Sequence, residues 1–137
     1  MKNHKFSQTS ESRMEGVDPR LVEIARRALF LSPIDFGIPE FGGVRNDDEQ
    51  AELFRKDLSK CDGVEKRSFH QPVPGGDGLG KALDFFAFVR GKESWQKRHL
   101  SLIAAAFLQA ANELGYRVEW GGLWVSWQDY PHVQLID

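Results

Sequence analysis

Leu100, Ile103, Ala104, Phe107, Ala111 and Leu114 fall at the spacing of one helical face, and the stripe stops at Gly115. Apolar residues three and four apart share a face of an α-helix, and a glycine just past the last turn suits its left-handed C′ position. A helix with so apolar a face needs other elements to cover it. Ala82 to Val89 is the clearest candidate: its near-continuous apolar character predicts a strand buried on both faces. Tyr116 to Trp120 predicts a strand, Gly121-Gly122 a turn, and His132 to Leu135 a final strand.

Upstream, Asp18-Pro19 opens a second helix, with Asp18 as N-cap and proline in the first turn. Leu21, Ile24, Ala25, Ala28 and Leu29 lie on its inner face, and Pro33 ends it. Asp35-Phe36-Gly37-Ile38 predicts a short strand interrupted at Pro39. Asn46-Asp47-Asp48-Glu49 has the form of a capping box, opening a helix that carries Leu53 and Phe54 and fades near Ser59. Residues 1–17 are polar and mixed, which predicts a loose N-terminal arm. Residues 60–80 form a long loop rich in glycine, proline and charge, and such loops are usually functional or mobile. The fold expected over 1–137 is one α+β domain, a small, mostly antiparallel sheet packed against helices.

With 137 residues the chain can bury one real core. Its formal charge of −2 gives no reason to expect nucleic acid or an anionic membrane as partner. Cys61 is the only cysteine, so no intrachain disulfide can form. No apolar run approaches the ~18 residues of a membrane span. The basic start, Met1-Lys2-Asn3-His4-Lys5, has no apolar stretch behind it and does not read as a secretory signal.

Two segments carry chemistry. Asp129-Tyr130-Pro131-His132 puts a carboxylate three residues before a histidine that opens a strand. Ser68-Phe69-His70, then Gly80-Lys81-Ala82-Leu83-Asp84-Phe85, adds a second histidine and a second carboxylate. Two histidines and a carboxylate are a ligand set for catalytic zinc, which keeps a fourth position for water. Asp129 would then be the spare carboxylate that moves protons, or else a loop aspartate that caps a turn before Pro131. Either histidine alone would read as structural, and His4 and His99 lie in polar, solvated stretches. Arg45, after Gly42-Gly43-Val44, can hold a substrate carboxylate or a developing oxyanion, or form a surface ion pair. Trp120, Trp124 and Trp127 read equally as packing residues or as the aromatic wall of a cleft.

Together these segments resemble the zinc D-Ala-D-Ala metallopeptidase superfamily, which includes the hedgehog signalling branch. Most of all they resemble its phage-type L-alanyl-D-glutamate peptidases. The resemblance runs over nearly the whole chain: Phe6-Ser7, Gly16-Val17-Asp18-Pro19, Arg26-Arg27-Ala28-Leu29, Asp35-Phe36-Gly37-Ile38-Pro39, Gly42-Gly43-Val44-Arg45 with Glu49-Gln50, Lys60-Cys61-Asp62-Gly63, Ser68-Phe69-His70-Gln71, Gly80-Lys81-Ala82-Leu83-Asp84-Phe85, Trp120-Gly121-Gly122-Leu123-Trp124 and Asp129-Tyr130-Pro131-His132. It implies a hedgehog/DD-peptidase-like fold and one Zn2+ ion held by His70, Asp84 and His132. Asp129 would be the catalytic acid and base, Arg45 a catalytic and substrate-binding residue, and Ser68, Trp120 and Trp124 further contacts to a peptidoglycan stem peptide. It implies a monomer that inserts in no membrane and waits in the host cytoplasm until released to the cell wall. The same resemblance leaves open a D-Ala-D-Ala carboxypeptidase or dipeptidase, and a non-catalytic zinc-binding module. One departure matters, and a second is smaller and lies outside the ligand set. The family places its aspartate seven residues after the first histidine, which is Asp77; Asp84 is preferred for its Gly-x-Ala-x-Asp context and its strand, with Asp77 as rival. Gln134 stands where many relatives have glutamate.

Overall fold

A computed structural model of the chain describes residues 5–137. Two helices carry the core: α2 (Pro19–Leu31) and α4 (Lys97–Leu114) pack on each other, and Leu21, Ile24, Ala28, Ile103, Phe107 and Ala110 are fully buried on them. Asp18 caps α2 by accepting from Arg20 N–H at 2.9 Å, with Pro19 at the first helical position. Gly115 ends α4 in the left-handed region at φ 79°. The capping box of α3 (Asp47–Arg55) has both of its bonds, Glu49 N–H to Asn46 Oδ1 and Asn46 N–H to Glu49 Oε1. That helix stops at Arg55, earlier than Ser59.

The expected antiparallel sheet is present as two three-stranded sheets. One has the order β1 (Asp35–Gly37), β3 (Phe86–Val89), β4 (Lys92–Ser94), and the other β2 (Ala82–Asp84), β6 (His132–Ile136), β5 (Arg117–Trp120). The single strand expected over Ala82–Val89 is therefore two. At the break Asp84 N–H donates to Gly42 O and Phe85 N–H to Pro131 O, bonds to loops that take the chain out of one ladder and into the other. Apart from the partly buried Asp84, burial holds through Ala87 and fails at Phe88, which is 37% exposed. Strand β4 carries no sequence signal, because a three-residue polar edge strand has no apolar alternation to reveal it.

The loose arm is corrected for residues 5–17. Helix α1 (Gln8–Arg13) is capped by Ser7, the Ser10 hydroxyl accepts from Ile38 N–H at 3.0 Å, and Arg13 Nη1 donates to Ile38 O. Met14 and Val17 then enter the core. The remainder of that expectation, with His4, lies outside the described residues. His99 is half-buried and bonded to Ser94 Oγ at 2.6 Å, where a solvated residue was expected.

Candidate metal centre and cleft

Asp84 closes β2, His132 opens β6, and the two are directly opposed in the antiparallel register. Opposed residues hold their Cβ atoms only about 4.5–5.5 Å apart, so these side chains meet on one face. His70 arrives from the loop before β2. Arg45 N–H donates to His70 O at 2.9 Å, Lys81 N–H donates to Phe69 O at 2.8 Å, and His70 N–H donates to Ser68 Oγ at 3.2 Å.

Three candidate ligand atoms result. His70 Nε2 is 3.2 Å from Asp84 Oδ1, His132 Nδ1 is 3.2 Å from the same oxygen, and the two nitrogens are 3.3 Å apart. A tetrahedral zinc ion with bonds of about 2.0–2.1 Å separates its ligand atoms by about 3.3–3.4 Å. The triangle fits that ion without rearrangement. Among the described residues it is the only group of three such side chains close enough to hold a metal. Three such side chains with no fourth beside them among the described residues match the pattern of a catalytic rather than a structural zinc site.

The outward-facing atoms set the inward ones. His70 Nδ1 lies 2.7 Å from Gly43 O, and His132 Nε2 lies 2.8 Å from Gln134 Oε1. Both partners accept, so both outer nitrogens carry N–H and the inner nitrogens face the triangle. Gln134 is itself turned by donating to Glu119 Oε2 at 3.2 Å. Asp84 Oδ2 accepts from Arg45 Nη2 at 3.0 Å, leaving Oδ1 for the triangle.

Charge follows from burial and neighbours. Burial lowers His70 below the usual imidazole value, so it is neutral. Burial pulls His132 the same way, but Asp84 and Asp129 outweigh it and its pKa is raised. Burial raises the Asp84 carboxyl, and the two imidazoles more than reverse this, holding it well below the usual carboxylate range. The triangle is suited to a cation: a proton on His132, or a metal ion in its place, would balance Asp84.

Asp129 stands beside it, with Oδ2 3.8 Å from His132 Nδ1. Its N–H donates to Gly121 O at 2.9 Å and its carbonyl accepts from His132 N–H at 3.3 Å. Gly121 is packed so closely on the Asp129 backbone that a Cβ there would collide with its carbonyl oxygen. Burial, reinforced by the Asp84 charge, raises the Asp129 carboxyl to about 6.

These groups floor a cleft of about 650 Å3. Ser59, Cys61, Ser68, Trp124, Ser126 and Trp127 line it. Trp124 stands over His132 with ring centroids 5.3 Å apart. Of the residues singled out in sequence, His70, Asp84, His132, Asp129, Arg45, Ser68 and Trp124 come together here. Trp120 does not: its indole N–H donates to Tyr130 O at 2.8 Å and its ring packs edge-on against Tyr130 and the core. Trp127 lines the cleft in its place. Asp77 also lies apart, with its carboxylate paired to Lys81 at 2.6 Å. Arg45 is only 9% exposed, and its Nε, Nη1 and Nη2 serve Phe41 O, Gln50 Oε1 and Asp84 Oδ2. Its first task is holding Asp84. The half-buried Cys61 lines the cleft without joining the triangle, and burial pushes its thiol up.

Two further residues of the site carry little signal in the sequence. Gln50 is fully buried, accepts from Arg45 Nη1 at 3.2 Å, and donates to Ser59 Oγ and Cys61 O at 2.8 Å each. No local pattern distinguishes it from any glutamine early in a helix. Gln134 bonds a histidine of the triangle; its only signal is the departure from glutamate.

A family model described as phage L-alanyl-D-glutamate peptidase matches residues 2–136. The L-alanyl-D-glutamate peptidase of Escherichia phage T5 is 33% identical over 133 residues, covering 92% of this chain and 85% of that protein. The crystal structure of the Serratia marcescens L-Ala D-Glu endopeptidase ChiX matches with a TM-score of 0.78 and 37% identity, covering 96% of this chain and 89% of that one.

Proposed function

The chain belongs to the phage L-alanyl-D-glutamate peptidase family, and from that premise we propose that it is a zinc-dependent peptidoglycan endopeptidase cutting the L-Ala–D-Glu bond of the stem peptide. One observation carries the zinc reading: three ligand atoms at 3.2–3.3 Å separations, beside a cleft and a carboxylate that does not join them. His70, Asp84 and His132 would hold the ion. Bound zinc lowers the pKa of water to about 7 and polarises a carbonyl oxygen.

The protein's own groups supply the rest. Asp129 accepts a proton from the attacking water and passes it to the departing D-Glu amine. A carboxyl with a pKa near 6 is suited to both transfers near neutral pH. Arg45 fixes Asp84 and keeps one carboxylate oxygen on the triangle. Gly43 and Gln134 hold the imidazole tautomers. Trp124 and Trp127 form an apolar wall that limits water around the scissile bond. Ser68 shapes the turn that presents His70.

The substrate is in the cell wall, and among the described residues no helix is long and apolar enough to cross a membrane. We further propose a monomer, held in the host cytoplasm until the membrane is opened, which light scattering and fractionation of producing cells would check. The test of the activity is incubation with purified peptidoglycan, with and without chelator, followed by mass analysis. New N-terminal D-Glu supports the endopeptidase. Released D-Ala would instead mark a carboxypeptidase, and no cleavage by a zinc-loaded sample a binding module.

A further inference from the structure

The cleft is lined by four cations, Arg45, Lys60, Lys66 and Arg67, and two carboxylates, Asp84 and Asp129, in a chain whose formal charge is −2. The four are not equivalent. Arg45 is committed to Asp84, and Arg67 to Asp47, Gly63 O and Pro72 O. Lys60 and Lys66 are exposed, and neither makes an ion pair among the described residues.

Their backbone is not loose. Asp62 Oδ1 accepts from Val64 N–H at 2.9 Å and Lys66 N–H at 3.0 Å, and Gly63 N–H donates to Lys66 O, closing a turn that carries Lys66. Gln50 ties Ser59 and Cys61, the neighbours of Lys60, to Arg45 and so to Asp84. Two uncommitted ammonium groups thus sit on a wall braced against the metal ligands.

The bond in the proposed reaction joins alanine to glutamate. Glutamate has two carboxyl groups, and a chain that continues through one leaves the other free. That anion belongs to the residue whose nitrogen departs, so it lies a few bonds from the scissile amide. Resting on the peptidase reading above, we propose that Lys66, with Lys60, forms a subsite for the free carboxylate of the D-glutamyl residue, and so sets preference for the acid over its amide. An ammonium is a compact point charge on a flexible stem, suited to an anion at the rim of a cleft. A charge-assisted bond there discriminates against a neutral carboxamide.

The test compares two synthetic stem peptides, one with this carboxylate free and one with it amidated. Wild-type protein should favour the acid in kcat/KM by on the order of three- to tenfold, mostly through KM, and less at high salt. Lys66→Met and the double variant Lys60→Met/Lys66→Met should bring the ratio toward one, and Lys66→Glu should invert it. Lys56→Met, on a lysine outside the cleft that pairs with Glu52, should leave the ratio unchanged. Both lysines are exposed, so the variants should fold, and circular dichroism checks this. Equal cleavage of both peptides by wild type overturns the subsite alone. An unaltered ratio in the double variant overturns its assignment to these lysines. A zinc-loaded wild type that cleaves neither peptide overturns the peptidase reading, and the subsite with it.

Discussion

Replacing Asp129 by asparagine should stabilise the metal-free protein while destroying its activity. In the fold the carboxyl is raised from 3.8 to about 6, first by burial and then by Asp84. Its side chain is 27% exposed. A tenfold change in proton affinity corresponds to about 1.4 kcal/mol, so ionised Asp129 costs the fold up to about 3 kcal/mol, and about 2 kcal/mol after allowance for its partial exposure. The sign follows from where the proton binds more tightly. The folded state holds it up to higher pH than the unfolded state does, so the penalty is absent below about pH 4, grows between about pH 4 and 6, and is constant above. Asparagine is never charged, and no hydrogen bond to the Asp129 carboxyl is lost with it among the described residues. Calorimetry in chelator should therefore find the two proteins equal at about pH 4 and Asp129→Asn higher in Tm by roughly 6 °C at about pH 8. His132 titrates in the same range and keeps its Asp84 partner in both proteins, losing in the variant only the smaller Asp129 contribution that helps to raise it. Added zinc should narrow the gap, because a cation beside Asp129 favours its carboxylate. Equal Tm values at the higher pH, or a difference that ignores pH, would refute the reasoning that burial strains this group for its task.

Asp84→Ala should abolish stoichiometric zinc retention, measured by metal analysis after gel filtration, while Asp77→Ala should leave it intact; the reverse would exchange their roles. Zinc binding near pH 7 should release protons, because His132 is raised above its ordinary 6.5 and must lose its Nδ1 proton to ligate. Calorimetric titration in buffers of different ionisation enthalpy would show this, with affinity falling as pH drops. Gln50→Ala removes the link between Arg45 and the cleft wall at a fully buried position and should cost about 1–3 kcal/mol in stability by urea denaturation. Phe107→Ala, in the stacked Phe85–Phe107 pair, should cost about 3–5 kcal/mol in the same assay without altering the zinc stoichiometry.

The elements with local punctuation were legible in the chain itself. Asp18-Pro19, the Asn46–Glu49 capping box and Gly115 mark helix ends because a cap bonds backbone within a turn, and no distant partner is needed. His70, Asp84, His132 and Asp129 were nameable because their types and motif order point to one chemistry. The break at Phe85 was not, because both halves of Ala82–Val89 are equally apolar and only their partners, β6 and β1, assign them to separate sheets.

Tertiary structure alone decided the division of labour. Sequence supplies Asp84 and His132 but not their register, and it is the β2–β6 pairing that sets their side chains face to face. It leaves Arg45 between a substrate contact and a surface ion pair, and the fold commits it to Asp84. It presents three tryptophans as equals, and packing sets Trp120 against the core while Trp124 and Trp127 meet the cleft. Ligand type is a property of one residue and can be read from one letter. Charge state, tautomer and direction belong to pairs of residues as far apart as His70 and His132, and only the folded chain brings such pairs within bonding distance.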